Sequence, residues 1–285
     1  MLVMNKEILK VFHIRTRLKQ FFHNRGIRIR VPKHQKFQNK NFYLHGNIKA
    51  DYDTGWAIEL SRDAKIIFDV GCNIGINAIL FNQFSSMRRI YLFEPNTSAL
   101  SLAVENSILN GFSKKVRIFN YCISNENNKI LKFYSVLEGA AGSLHKDFSS
   151  TASDLNNSYD VKTKTIDQIC EDENVIPDFV KIDVEGHESQ VLEGARQTAL
   201  NGKTKFLVEM HSSNLLSMEE NSEKVIKWAK LINHKVLYLK KMKIINDSKL
   251  IKNRGRCHLL LVPNHFTISH RLKSIKQGEI SPHIT

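Results

Sequence analysis

The run Ile66-Ile67-Phe68-Asp69-Val70-Gly71-Cys72-Asn73-Ile74-Gly75-Ile76-Asn77 decides the fold. An apolar stretch leads to an aspartate, a glycine turn follows, and Ile76, Ile79 and Leu80 then recur at helical spacing. That pattern predicts a buried strand, a tight loop and a helix N-terminus. In an open α/β sheet such a unit opens a ligand site beyond the carboxyl ends of the strands.

Asp69 restricts the ligand. A dinucleotide places its pyrophosphate on the glycine turn and the helix N-terminus, and a carboxylate just before that turn repels it. The dinucleotide fingerprint also requires Gly-x-Gly-x-x-Gly, whereas position 73 is Asn and the spacing here is Gly71-x-x-x-Gly75. An acid fits a cationic, phosphate-free ligand better. S-adenosylmethionine, with its sulfonium and ammonium groups, has that character. The plainer reading is that Asp69 caps the loop.

Arg89-Ile90-Tyr91-Leu92-Phe93-Glu94-Pro95 reads as the next strand, again ending in an acid. The interval from Asp69 suits one strand–helix–strand unit and brings Glu94 to where a carboxylate accepts from paired ribose hydroxyls. Pro95 stops the strand, and Asn96 can cap the following helix. The alternative for Glu94 is a solvated loop acid.

Four segments together resemble the FkbM family: Phe68–Gly75, Phe93-Glu94-Pro95, Val180-Lys181-Ile182-Asp183-Val184-Glu185-Gly186-His187-Glu188, and Val208-Glu209-Met210-His211. These are S-adenosylmethionine-dependent methyltransferases, many acting on hydroxyls of sugars or polyketides. The resemblance spans residues 64–262. One departure is Cys72, where the family usually has alanine. The resemblance implies a Rossmann-like class I methyltransferase fold in the α/β class: a mainly parallel seven-stranded sheet with an antiparallel last strand and helices on both faces. It also places the adenine near Tyr121 and Cys122. The cofactor set expected is therefore Asp69, Gly71, Asn73, Gly75, Glu94, Tyr121, Cys122 and Asp183.

The chain has 285 residues, 42% of them hydrophobic, with a formal net charge of +14. That length suits one domain with extensions. Residues 1–50 hold 12 Lys/Arg against one acid, Glu7, while 51–240 are slightly acidic. The expected division is a basic N-terminal extension over 1–60, a methyltransferase domain over 61–263 and a basic tail over 264–285, loosely held. Met4, Ile8, Val11, Leu18 and Phe22 form a stripe flanked by Lys6, Lys10, Arg17 and Lys19. Such a helix packs on its own domain or lies on an anionic membrane surface. Ile27–Val31 alternates like a short strand. No apolar run approaches a membrane span, and the N-terminus lacks a secretory pattern. Cys72, Cys122, Cys170 and Cys257 are scattered without metal-ligand spacing, as reduced core residues of a cytoplasmic protein are.

Further along, residues 51–60 lead into the domain, and Tyr52 and Trp56 read as packed aromatics or as cover for a ligand. Strands are expected at 116–119, 130–135, 161–165, 179–182, 205–210, 235–239 and 257–262. Helices are expected at 97–110, 186–195 and 217–232. Gly139–His145 reads as a plain loop, and 146–160 as a polar excursion.

Methyl transfer from sulfonium needs no acid for the leaving group. It needs the acceptor placed in line and its proton removed. Asp183, Glu185, Glu209 and His211 stand at or just beyond two strand ends and form the candidate catalytic set. His211 has an ordinary pKa suited to proton abstraction. Asp183, Glu209 and His211 are also ligand types for a divalent metal, a less favoured reading. His187 reads as an exposed residue of a helix first turn and Glu188 as a complement to that helix N-terminus, while Lys181, with the strand parity of Asp183, either approaches the site or snorkels from the strand edge. The function expected is O-methyl transfer to a sugar, glycan or other small hydroxylated acceptor. Alternatives are an RNA methyltransferase using the basic arms, disfavoured because the acids repel phosphate, a nicotinamide-dependent oxidoreductase, and a non-catalytic binding module.

Overall fold

The computed structural model describes residues 32–37, 40–49, 51–84, 87–135, 142–144 and 158–275. The expected helix over 4–22 and strand at 27–31 lie outside these residues, as does most of 139–160. In chain order the strands are β1 (Lys33–Phe37), β2 (Lys40–Leu44), β3 (Ile66–Val70), β4 (Arg89–Phe93), β5 (Val116–Phe119), β6 (Cys122–Ile123), β7 (Ile130–Ser135), β8 (Gly142–Ser143), β9 (Ser158–Lys164), β10 (Phe179–Ile182), β11 (Lys205–His211), β12 (His234–Tyr238), β13 (Lys243–Ile245) and β14 (Arg256–Pro263). The helices are α1 (Tyr52–Ser61), α2 (Ile76–Phe81), α3 (Thr97–Leu109), α4 (Ile166–Glu173), α5 (Glu188–Glu193), α6 (Arg196–Leu200), α7 (Met218–Leu231) and α8 (His270–Ser274).

β5, β4, β3, β10 and β11 pair in parallel. The apolar runs of β4, β3, β10 and β11 are buried on both faces, the condition under which parallel sheets occur, while β5 is the half-exposed edge. β14 inserts antiparallel between β11 and β12. The order is β13-β12-β14-β11-β10-β3-β4-β5. This is the expected sheet with one correction: it has eight strands among the described residues, because the short β13 adds to the edge of β12.

Alternation along the strands builds two cores. Val70, Ile182, Val208 and Met210 face α4 and α7. Ile67, Phe179, Leu207 and Leu260 face α1, α2 and α3, and each such fully buried side chain contributes roughly 1.5–3 kcal/mol. Asp69, Lys181, Glu209, His211 and His258 share the parity of the second face, and register sets Asp69 beside Lys181 and Glu209 beside His258. A polar row thus crosses the carboxyl ends of the strands above an apolar layer.

Residues 51–60 do more than lead into the domain. They form α1, with Asp51 accepting from the Thr54 N–H at 3.0 Å, and they bury Trp56, Ala57 and Ile58 on the sheet. The β1–β2 hairpin is tied down by Asn106 of α3, which accepts from His45 N–H at 2.7 Å and donates to Ile74 O at 2.7 Å. The expected helix over 186–195 is shorter, ending at Gly194 before α6 begins. The chain beyond Pro263 is held in its described part: α8 buries Leu272 against the second core. A small sheet, β6-β9-β7-β8, lies after β5, and Ser143 of β8 donates to Glu185 O at 2.8 Å.

Candidate active site

β3 runs straight into the turn at Gly71, whose φ is +76°. A Cβ there would stand 1.8 Å from the Asp183 carbonyl oxygen, so only glycine permits the ends of β3 and β10 to meet. Gly75 precedes α2 at φ +73°, with its missing Cβ toward Ala103 of α3. Asn73 between them is left-handed at φ +49°, which asparagine tolerates. Its N–H donates to Glu94 Oε2 at 2.9 Å, and Asn96 N–H donates to Oε1 at 2.9 Å. Each oxygen keeps a lone pair for a further donor.

Glu94, Gly71, Tyr121, Cys122, Asp183 and His187 line a cleft of about 420 Å³, closed by Phe133 of β7 and by Leu144. Burial pushes the Glu94 carboxyl up to about 7. Beneath the turn, Asp69 is fully buried, and neither carboxylate oxygen has a hydrogen-bond partner among the described residues. Burial raises it to about 6, against the pull of Lys181. A buried carboxylate without a donor is expensive and calls for a ligand or water to complete it. An ammonium or sulfonium ligand supplies that charge, and Glu94 with its two positioned oxygens suits a pair of hydroxyls. The residues present therefore fit S-adenosylmethionine.

At the far end of the cleft the chain leaves β10 through a strained turn, Glu185 at φ +49° and Gly186 at +99°. Four acids surround one imidazole. His211 Nδ1 lies 2.9 Å from Glu188 Oε1, while Nε2 faces Glu185 at 3.4 Å, Glu209 at 3.7 Å and Asp183 at 3.9 Å. Glu188 is fully buried and also accepts from Gly186 N–H and from Asn221 Nδ2, each at 2.9 Å. An ionised carboxylate only accepts, so Nδ1 keeps its proton and donates it in a hydrogen bond to Glu188, leaving Nε2 toward the acids. Burial alone would lower the His211 pKa, but Glu188 and the other carboxylates outweigh it and raise it to about 9.

Beyond Glu209 lies a second cleft of about 580 Å³, over the start of β14. Glu209 bonds Arg256 at 2.9 Å and His258 Nε2 at 3.2 Å, and Asp53 of α1 reaches His258 Nδ1 at 3.4 Å. Burial pushes the Glu209 carboxyl up, yet His258, Lys181 and His211 hold it well below the carboxylate range. Its roof is the stacked pair Tyr52 and Trp56, centroids 5.0 Å apart.

Ligand atoms of Asp183, Glu209 and His211, and of Asp53, Glu209 and His258, lie within 4.8 Å of one another. Both sets already carry protein cations: Lys181 Nζ is 3.0 Å from Asp183, and Arg256 holds Glu209. A divalent ion would have to displace them, and we derive no step through one.

The structure thus brings Asp183, Glu185, Glu209 and His211 together, and it sets Gly71, Glu94, Tyr121, Cys122 and Asp183 along one cleft. Asn73 joins through its backbone, Asp69 lies buried below, and Gly75 sits at a packing position. Two expectations need correction. His187 is buried rather than exposed, its Nε2 lying 2.9 Å from Ser124 Oγ, because β6 folds over it. Glu188 does serve a local N–H, but its larger part is to hold His211. Of the two readings of Lys181, the structure takes the first: it reaches the site, buried against Asp183. Sequence reasoning missed Asp53, Arg256 and His258 altogether. The capping pattern at Asp51 was available as a signal for α1, whereas the β11–β14 register was not.

A mainly parallel sheet with β14 inserted antiparallel, and an acid at each of three strand tips, defines a Rossmann-like class I methyltransferase. More particularly, residues 69–233 match the family described as the methyltransferase FkbM domain, and the chain belongs to that family. Its methyl donor is S-adenosylmethionine. The chain is 27% identical over 168 residues to the 2-O-methyltransferase NoeI of Sinorhizobium fredii, covering 55% of this chain and 67% of that protein. It is 31% identical over 156 residues to the hexuronic acid methyltransferase AglP of Haloferax volcanii, covering 54% of this chain and 59% of that protein. The crystal structure of methyltransferase FkbM from Methylobacillus flagellatus aligns with a TM-score of 0.44 and 17% identity, over 70% of this chain and 44% of that one. Among the described residues no helix is long and apolar enough to cross a membrane.

Proposed function

We propose that the protein transfers a methyl group to a hydroxyl of a sugar or glycan, with His211 taking the hydroxyl proton. The observation that carries this reading is the buried Glu188–His211 pair, whose Nε2 faces Asp183 of the cofactor-cleft lining at 3.9 Å. Bound S-adenosylmethionine supplies an electrophilic methyl on a sulfur that leaves as a neutral thioether. Asp69 and Asp183 face its positive charge, and Glu94 its ribose hydroxyls, with Tyr121 and Cys122 beside the adenine. As the acceptor oxygen bonds to the methyl carbon, its proton passes to Nε2. Glu188, through Nδ1, stabilises the imidazolium that forms. Positioning supplies most of the acceleration, and a base in reach typically adds 10²–10⁴-fold.

In the free protein His211 is protonated at neutral pH, since its pKa is raised to about 9. A cationic donor in the same acid-lined cleft lowers that proton affinity, so binding of the donor prepares the base. The acceptor class is supported by the relatives named for 2-O-methyl transfer and for a hexuronic acid. A cytoplasmic site of action belongs to the same proposal.

The test is incubation of the full chain with methyl-labelled S-adenosylmethionine and a panel of free sugars, glycosides and cell glycan fractions. Alkali-stable label recovered as a methyl ether on a sugar is expected. Label appearing only in RNA or on nitrogen would reject the reading.

A further inference from the structure

We infer that the cleft over the start of β14 is the acceptor subsite, and that it takes a sugar carrying an anionic group, a carboxylate or a phosphate, in preference to a neutral one. This rests on the O-methyl transfer reading above and names where and how the acceptor is held.

Continuity comes first. His258 lines the second cleft, and Glu209 links it to the proposed base, with one oxygen 3.2 Å from His258 Nε2 and the other 3.7 Å from His211 Nε2. A molecule in that cleft therefore lies one side chain away from the base.

The lining has sugar-binding chemistry. Tyr52, half-buried, stacks on the buried Trp56 with only 13° between their rings, so Tyr52 supplies the flat apolar surface of the kind that covers the C–H face of a pyranose. Trp56 is 3% exposed, and its buried Nε1 donor has no hydrogen-bond partner among the described residues. A buried indole N–H normally finds an acceptor, and a ring or hydroxyl oxygen in this cleft would supply one.

Charge sets the class. The acids here are already engaged: Asp51 caps α1, while Asp53 faces His258 and Arg256. Arg256 in turn is held by Glu209. Lys240 and Arg254, also in the lining, have no ion pair among the described residues. Two unmatched cations at the mouth of a site whose inner acids are satisfied favour an anion at the outer end of the acceptor. A neutral sugar would satisfy the aromatic roof and the inner polar groups and leave both cations unused.

The test uses the full chain saturated with S-adenosylhomocysteine. Binding of methyl glucuronide, glucose 1-phosphate and methyl glucoside is followed by saturation-transfer NMR, and labelled methyl transfer to each is measured separately. Expected is tighter binding of one or both anionic glycosides than of the neutral one. The carboxylate and phosphate arms decide between the two anions. In the double variant Lys240→Ala, Arg254→Ala that preference should fall by about fivefold or more, with S-adenosylhomocysteine affinity unchanged. Equal binding of all three, binding of none, or a preference that survives in the double variant overturns the inference. Anion-selective binding with no methyl ether formed on any sugar leaves the subsite standing and sinks the O-methyl reading. Methyl transfer to neutral sugars, indifferent to the double variant, does the reverse.

Discussion

S-adenosylmethionine should bind with release of protons and weaken steeply in acid. In the free protein burial raises Glu94 to about 7 and Asp69 to about 6. Both carboxyls are raised, so each contributes stability at acid pH that is lost as pH rises through its folded pKa. The free protein should therefore lose stability between about pH 4 and pH 7 from these two groups. A cationic ligand that donates hydroxyls to Glu94 reverses the preference, because it binds the ionised forms. If both groups are ionised in the complex, affinity at pH 5.5 should be about 30-fold weaker than at pH 8 through Glu94, and about fourfold weaker through Asp69. The product is about 100-fold, or about 3 kcal/mol. Near pH 7 roughly half a proton or slightly more should leave these two acids on binding, with any proton released from His211 added to it. Isothermal titration calorimetry in buffers of different ionisation enthalpy measures both quantities. Glu94→Gln should remove most of the dependence and leave the smaller part due to Asp69. Affinity that is flat across this range, or net proton uptake, would refute the placing of the positive donor over these two acids.

Glu188→Gln should lower kcat by about 10²–10³-fold with little change in KM for the donor, and should move the His211 limb of the pH profile to lower pH. An unshifted limb would remove Glu188 as the group that positions the base. Because His211 is raised to about 9 from an ordinary value near 6.5, its contribution to stability is complete below the latter and disappears as pH climbs through the former. Thermal melts should accordingly fall between about pH 7 and pH 10 by an amount missing from Glu188→Gln. Gly71→Ala, which sets a Cβ 1.8 Å from a backbone oxygen at positive φ, should cost about 2–4 kcal/mol in urea denaturation. A cost under 1 kcal/mol would show that the β3–β10 approach is slack. Dialysis against a chelator should leave turnover unchanged, since Lys181 and Arg256 occupy the cation positions. Loss of activity restored by magnesium or manganese would refute that assignment.

The parts of this site that the sequence reveals are those carried by one strand and the turn after it. Asp69, Glu94, Asp183 and Glu209 each close an apolar run, and the sheet geometry obliges such ends to meet. The eighth strand escaped because three residues, Lys243–Ile245, carry no periodicity. Arg256 and His258 escaped for a different reason. They reach the site only because β14 returns antiparallel beside β11 in one register, opposing His258 to Glu209 and Arg256 to His211. A shift of one residue would turn both toward the other core. Asp53 joins them from α1.

Glu188 is the most instructive miss. Its position two residues after the Gly186 turn suggests a helix-capping acid, and it does accept the Gly186 N–H. What the sequence hides is Asn221, thirty-three positions away on α7, which donates to Glu188 Oε2 at 2.9 Å and to the His211 carbonyl at 3.0 Å. This one side chain fixes the carboxylate and the backbone of the histidine it serves, so the base is aligned by a helix packed beneath the sheet rather than by the loop that carries the motif. Asn221→Ala should therefore loosen His211 without touching the cofactor cleft. If that variant kept full turnover, alignment would have to come from the β11 backbone alone, and the buried Glu188–His211–Asn221 arrangement would be a matter of packing rather than of catalysis.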